Sequence, residues 1–198
     1  MSRRENNEIS FYPEIKKYIK EQIESNFRAS KNPLRVYCET GELRSGLQRI
    51  INENNINTPS IVNFASNTPP LSLDIFALIT DNVEYELLII EVKLKSSVGL
   101  SELSQLIGYC IVSNAQYGLL INVNGGESPR LSSLIMNEPN VTHIVRVLDP
   151  DSKVVEHNLG AMHWDSETKN LTYSGYGAIK SISKLCEKIA AKFETHQS

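Results

Sequence analysis

Several features are scarce in this chain of 198 residues, and each scarcity excludes a class of protein. The three cysteines, Cys38, Cys110 and Cys186, are odd in number and far apart, so they predict neither a disulfide framework nor a zinc finger. No apolar run approaches the length that crosses a bilayer. The polar N-terminal sequence lacks the apolar segment of a signal peptide. We therefore expect a cytoplasmic protein with reduced thiols.

The chain also lacks an excess of charge of either sign. Its formal net charge of −3 argues against a strongly electropositive protein, although a local basic groove is compatible with it. Hydrophobic residues make up 40% of the chain, which is enough for a sizeable core. Length and composition together predict a single domain over residues 1–198.

The most informative stretch covers residues 71–95. Two apolar runs with the composition of β-strands are joined there by a short polar turn near Asp81. The first run contains one acid, Asp74, and the second contains Glu91 and Lys93. This pattern predicts a β-hairpin that carries three charged side chains.

Alternation along the second strand places Glu91 and Lys93 on one face, about 7 Å apart. The other face is predicted to enter a core through Leu88, Ile90, Val92 and Leu94. If the two runs pair as a hairpin, Asp74 lies beside Glu91. Charged groups are rarely placed in such a sheet unless they are paired or hold a metal ion.

The remaining pattern surrounds this hairpin with helices and further strands. Apolar spacing predicts helices over residues 10–27, 42–51 and 100–113, and strands over residues 61–64 and 117–123. With the hairpin, the predicted order is helix, helix, strand, strand, strand, helix, strand. Farther on, we predict a short helix at 131–136, strands at 141–148, 154–159, 161–164 and 171–173, and a closing helix at 178–193.

The spacing Asp74, sixteen residues, Glu91-Val92-Lys93 resembles the PD-(D/E)XK nuclease superfamily. Leu73 stands where the proline of that name would be. An acid that precedes the core is also typical of the superfamily, and Glu42 lies 32 residues before Asp74.

A second motif agrees with the resemblance. Gln105 and Tyr109 reproduce the Q-x-x-x-Y signature of the recombination-exonuclease branch, on the helix that follows the hairpin. The resemblance implies an α/β, restriction-endonuclease-like fold, in which helices flank a central mixed β-sheet. It divides the chain into an N-terminal helix at 8–35, a nuclease core at 36–124 and a C-terminal strand-and-helix extension at 125–198.

The resemblance also implies a metal site. Asp74 and Glu91 would bind Mg²⁺, or Mn²⁺ as a substitute, together with the backbone carbonyl of Val92. Glu42 would complete the site directly or through water. Glu39 is the alternative upstream acid, and Glu42 also fits as an ordinary first-turn acid of a helix.

Lysine and amide groups would assist the chemistry. Lys93 would orient or help to deprotonate the attacking water, and its protonation state is open. Gln105 and Tyr109 would position the backbone or the lysine, or they form a solvated helix face. Lys95 is either a phosphate contact or an exposed lysine at the end of a strand.

These features predict a Mg²⁺-dependent DNA endonuclease, with Asp74, Glu91, Lys93 and Glu42 as its catalytic residues. Restriction, junction or flap resolution and repair-type processing all fit, and two-strand or junction cleavage favours a homodimer. RNA is not separated from DNA as the substrate. The alternative is a catalytically silent nuclease-like fold that binds nucleic acid or a protein partner.

Overall fold

The computed structural model describes residues 7–30, 33–148 and 154–195 and has an α/β architecture. In these residues, seven strands form one mixed central sheet with helices on both of its faces. None of the described helices is both long enough and apolar enough to cross a membrane.

The described α-helices are α1 (Tyr12–Phe27), α2 (Leu43–Glu53), α3 (Pro59–Asn67), α4 (Leu100–Ser113), α5 (Pro129–Asn137) and α6 (Ile182–Thr195), and short 3-10 helices cover Glu8–Phe11 and Pro139–Val141. The described strands are β1 (Arg35–Glu42), β2 (Ser72–Thr80), β3 (Tyr85–Lys93), β4 (Ser97–Val98), β5 (Tyr117–Val123), β6 (Gly126–Glu127), β7 (His143–Val147), β8 (Val154–Asp165) and β9 (Asn170–Tyr173). The predicted helix at 100–113 and strand at 117–123 are confirmed with both ends in place.

The main sheet has the order β1-β2-β3-β5-β8-β7, and β9 also pairs with β8. Strands β1, β2 and β3 are antiparallel neighbours, whereas β3, β5 and β8 run parallel. Helix α4 makes the crossover between β3 and β5, as a parallel connection requires. Strands β7, β8 and β9 therefore extend the same sheet, while β4 and β6 form a small separate pair.

The predicted hairpin is formed by β2 and β3. Its register runs from Thr80 opposite Tyr85 to Ile75 opposite Ile90. In the turn, the Asp81 carboxylate accepts hydrogen bonds from two backbone amides, at 2.9 and 2.8 Å. This local capping explains why the polar turn could be recognised from sequence.

The hairpin is buried on both faces, with a separate core on each side of the sheet. As predicted, one face of β3 contributes Leu88, Ile90 and Val92 to a core shared with α1 and α6, and Leu94 packs against that core. The other face contributes Leu87 and Ile89 to the core beneath α2, α3 and α4. A charge on either face of this strand is therefore placed among apolar neighbours.

The prediction of a strand at residues 61–64 is wrong, because these residues belong to helix α3. Pro59 lies in the first turn of that helix, where its missing N–H costs nothing. Ile61 and Ala65, one turn apart, are its buried residues. A short apolar run does not distinguish a strand from a helix, and the proline was the more reliable signal.

The predicted element order is also wrong near β1, which lies between α1 and α2. Glu42 is the last residue of β1 and the N-cap of α2, rather than the first residue of that helix. Just before it, Gly41 has a φ of +91° at a register shift in the strand. Glycine adopts this backbone conformation without strain, so the chain can turn from strand into helix there.

The two strands predicted at 154–159 and 161–164 are one continuous strand, β8. Gly160, which lies between the two predicted strands, allows close packing. A Cβ at this position would lie 2.4 Å from the carbonyl oxygen of Ile179. The glycine therefore allows the segment before α6 to approach the middle of β8.

Candidate active site

The candidate site lies at one edge of the sheet, where β2 begins and β3 ends. Because these strands are antiparallel, Asp74 near the start of β2 lies beside Glu91 near the end of β3. The last regular pair before them is Ile75 with Ile90. The hairpin register alone therefore brings together two acids that are separated by sixteen residues in the sequence.

Lys93 joins the two acids. Its Nζ lies 3.6 Å from Oδ2 of Asp74 and in direct contact with Oε1 of Glu91. The backbone N–H of Val92 also donates to Oδ2 of Asp74, at 2.9 Å. The three side chains that carried the sequence prediction are thus assembled around one ammonium group.

The trio is largely withdrawn from water. The exposed fraction is 2% for the Glu91 side chain, 14% for Lys93 and 21% for Asp74. Burial raises the pKa of Glu91 above its ordinary value, and the negative charge of Asp74 adds to this effect. The contact with Lys93 acts in the opposite direction and keeps the buried carboxylate paired.

Lys93 responds to the same environment in its own way. Burial acts to lower its pKa, but the contact with Glu91 and the charge of Asp74 outweigh burial, so the pKa is raised. Lys93 is therefore a cation at neutral pH in this arrangement. In this arrangement it offsets the negative charge of the two acids.

Two residues of the N-terminal segment belong to the surroundings of the site and were missed from sequence. The pKa of the Tyr12 phenol is raised, first by burial and then by a hydrogen bond to Asp74 and the charge of that acid. The charge of Glu8 acts on Tyr12, Glu91 and Lys93. Tyr12 was assigned only as an apolar helix position, although a buried tyrosine usually needs a polar partner for its hydroxyl.

Glu39 and Glu42, the two candidates for the acid that precedes Asp74, have different surroundings in the structure. Glu39 forms an ion pair with Arg49 at 2.8 Å. Glu42 pairs in register with Ser72 at the start of β2, and its Oε1 is buried without a hydrogen-bond partner. Of the two acids, only Glu42 thus keeps a buried oxygen with unused acceptor capacity.

Lys95 forms its ion pair with Glu102 and not with a member of the trio. Its Nζ lies 2.6 Å from Glu102, and its backbone N–H and carbonyl both bond to the side-chain amide of Asn122, at 3.1 and 3.0 Å. Glu102 also accepts a hydrogen bond from the N–H of Gly99 at the start of α4. Lys95 therefore ties the end of β3 to the following helix.

The predicted pair on α4 is close in space. Gln105 donates to the hydroxyl of Tyr109 at 3.1 Å, one helical turn along. In the described part of the chain, neither side chain forms a hydrogen bond or ion pair with Asp74, Glu91 or Lys93. A role in positioning the lysine stays a prediction.

A polar row crosses three strands at the same edge. Lys93 pairs in register with Asn122, and Asn122 pairs with His163. The His163 ring contacts the carbonyl oxygen of Gly125 at 2.6 Å and Oε1 of Glu127 at 3.6 Å. Its pKa is raised chiefly by Glu127 and further by the Gly125 carbonyl, against the effect of burial. The sequence reasoning did not connect His163 with this edge, since three separated strands supply the row.

The donor chemistry of the site suits a hard divalent cation. Mg²⁺ is commonly held by one or two carboxylates and several waters, and Asp74 and Glu91 supply the two carboxylates. The buried Oε1 of Glu42 is a further oxygen without a hydrogen bond. Among residues 7–30, 33–148 and 154–195, however, no three His, Cys, Asp or Glu side chains lie close enough to enclose an ion. The arrangement fits a cation that keeps much of its water, and the Val92 carbonyl and Glu42 stay predicted ligands.

Comparisons with family models, with curated proteins and with solved structures found no match to this chain. The site must therefore be interpreted from its own geometry.

Proposed function

We propose that this chain is a Mg²⁺-dependent endonuclease that hydrolyses phosphodiester bonds in DNA. The convergence of Asp74, Glu91 and Lys93 at one sheet edge carries the proposal. The two acids provide ligands for a hard cation, and the lysine provides a positive charge within reach of the same edge. Phosphodiester hydrolysis needs both, because negative charge increases on the phosphate in the transition state.

The surrounding topology supports a restriction-endonuclease-like fold. The antiparallel β1, β2 and β3 are followed by the crossover helix α4 and the parallel strand β5. The acids lie on β2 and β3, as the resemblance to the PD-(D/E)XK superfamily implies. Helix α1 packs against the same part of the sheet and brings Tyr12 to Asp74.

Each residue of the trio has a separate part in the proposed reaction. Asp74 and Glu91 would hold the ion, and the N–H of Val92 fixes the orientation of the Asp74 carboxylate. A bound Mg²⁺ would polarise the phosphate and favour ionisation of a water molecule. Lys93 would place its charge beside the phosphate.

The test is cleavage of supercoiled plasmid and of branched DNA with and without Mg²⁺. The wild-type protein is compared with Glu91→Ala and Lys93→Ala, and Glu86→Gln serves as a control on the same strand. We expect the wild type and the control to cut and both site variants to lose activity. Equal cleavage by all four proteins would identify a contaminating nuclease and contradict the proposal.

Substrate and assembly follow from the same proposal. We propose DNA as the partner and a homodimer as the cutting species, because two-strand cleavage is most simply performed by two symmetric sites. A panel of duplex, single-stranded, flap, junction and RNA substrates sorts the possible roles. If Asp74→Ala binds DNA as tightly as the wild type and neither protein cuts, the chain is a binding protein with a nuclease-like fold.

A further inference from the structure

The ammonium of Lys93 occupies the position that a cation shared by Asp74 and Glu91 would need. Its contacts with both carboxylates place one positive charge between them. Oδ2 of Asp74 receives both this ammonium and the N–H of Val92. One oxygen of each carboxylate, Oδ2 of Asp74 and Oε1 of Glu91, is therefore already in contact with a nitrogen atom.

Two cations cannot share this small space at low cost. A divalent ion placed between the carboxylates would lie next to the ammonium, in surroundings where little water screens the repulsion. Glu91 is almost fully buried, so its carboxylate cannot turn outward to meet an ion in solution. The mobile member of the trio is Lys93, whose charge sits on a flexible four-carbon stem.

We propose that Lys93 competes with the divalent cation for Asp74 and Glu91, and that cation binding displaces its ammonium toward the substrate phosphate. This inference rests on the metal site of the proposed function. Without the ion, the lysine offsets part of the negative charge of the two neighbouring carboxylates. With the ion, the same charge becomes available to a phosphate, so binding of metal and of substrate are coupled.

The position of Lys93 in the fold permits this movement. It is the last residue of β3, and the chain leaves the strand directly after it. Its side chain is partly exposed, at 14%, which leaves a route to the surface. Lys95, two residues on, provides a matched control because its ammonium pairs with Glu102 and is not in contact with Asp74 or Glu91.

The experiment measures the affinity of the full-length protein for Mg²⁺ and Mn²⁺ by calorimetry, without nucleic acid. Lys93→Met removes the charge and keeps most of the stem, and Lys93→Gln is a second variant in case the first does not fold. We expect either variant to bind the ion about tenfold more tightly or better, since the internal competitor is gone. Lys95→Met should bind the ion with wild-type affinity.

A second measurement follows the lysine itself. Saturating Mg²⁺ should increase the rate at which Lys93 is acylated by an amine-reactive reagent, as read by mass spectrometry of the wild-type protein. The rate at Lys95 should stay unchanged, because its partner Glu102 is not part of the site. The variants should also show a larger rise of Tm with Mg²⁺ than the wild type, since the ion neutralises carboxylates left unpaired.

The outcomes separate this inference from the proposed function. Unchanged or weaker ion binding by the Lys93 variants would overturn the competition, even if the wild type cuts DNA. Tighter binding by the variants without any cleavage by the wild type would support the competition and refute the nuclease. If no protein in the set binds the ion, both are refuted.

Discussion

Two buried glutamates lie on the same strand, and their surroundings differ. Glu91, near the end of β3, contacts Lys93 and lies beside Asp74. Glu86, near the start of β3, is 5% exposed, and burial raises its pKa to about 7 from an ordinary 4.5, with Lys192 opposing and Glu84 adding to this shift.

The comparison shows that burial of an acid does not by itself indicate a function. By strand alternation, Glu86 faces the core of α1 and α6, whereas Glu91 faces the opposite side of the sheet. Both carboxyl groups are pushed toward the neutral form by burial. Glu91 differs in that Lys93 contacts it and Asp74 lies beside it, so two carboxylates are placed where they can share one cation.

The largest expected effect is on catalysis. Glu91→Gln should reduce Mg²⁺-dependent cleavage by about a thousandfold or more, because an amide is a poor ligand for the ion. Glu86→Gln should cleave at the wild-type rate. Single-turnover kinetics on a plasmid substrate measure both variants. A comparable loss in the two would show that cleavage depends on the stability of the strand and not on the site.

The next effect concerns stability and pH. The raised pKa of Glu86 means that the folded state favours the protonated carboxyl. The stabilisation of the fold by this protonation is complete below about pH 4.5 and is lost as pH rises through about 7. Glu86→Gln removes this titration. Its stability relative to the wild type should therefore rise by about 3 kcal/mol between pH 4.5 and pH 8. Urea unfolding at several pH values tests this, and a constant difference would contradict it.

A smaller effect is expected at the polar row beside the site. Both ring nitrogens of His163 face acceptors, on Gly125 and Glu127, so the protonated ring satisfies both. Because the pKa of His163 is raised in the folded state, protonation of the ring stabilises the fold. This stabilisation is complete below about pH 6.5 and is lost as pH rises through the pKa of the folded state. His163→Gln should cost about 1 kcal/mol at pH 6 and less at pH 8.5. Thermal unfolding of both proteins at the two pH values checks this.

The smallest effect is expected on α4. Gln105→Ala breaks a hydrogen bond to Tyr109 on an exposed helix face, and should change the free energy of unfolding by less than about 0.5 kcal/mol. If the pair positions the substrate, cleavage should fall while stability does not. An unchanged kcat/KM on every DNA substrate would assign Gln105 to the solvated surface.

The features of the fold and of the site that depend on neighbouring residues in the sequence were predictable. The hairpin, α4 and β5 were predicted because their apolar periodicity is strong and their ends carry turn residues. Asp74, Glu91 and Lys93 could be placed together because one hairpin fixes all three. Helix α3 was missed because its apolar run is short.

Contacts between distant parts of the chain were not predictable. Tyr12 reaches Asp74 across about sixty residues, and the row from Lys93 to His163 needs the order of three strands. The pKa of Glu86 depends on α6, which is more than ninety residues away in the chain. No local pattern encodes such pairs, because they arise from tertiary packing.

The origin of both acids in one hairpin also has a consequence for how the protein folds. Asp74 and Glu91 meet as soon as the short turn after Thr80 closes, and closing so small a loop costs little chain entropy. This pairing has low contact order, so it can form before the distant strands β8 and β7 have docked. A late or faulty addition of the later strands would then leave Asp74, Glu91 and Lys93 together on the hairpin, whereas the polar row through Asn122 to His163 would be incomplete.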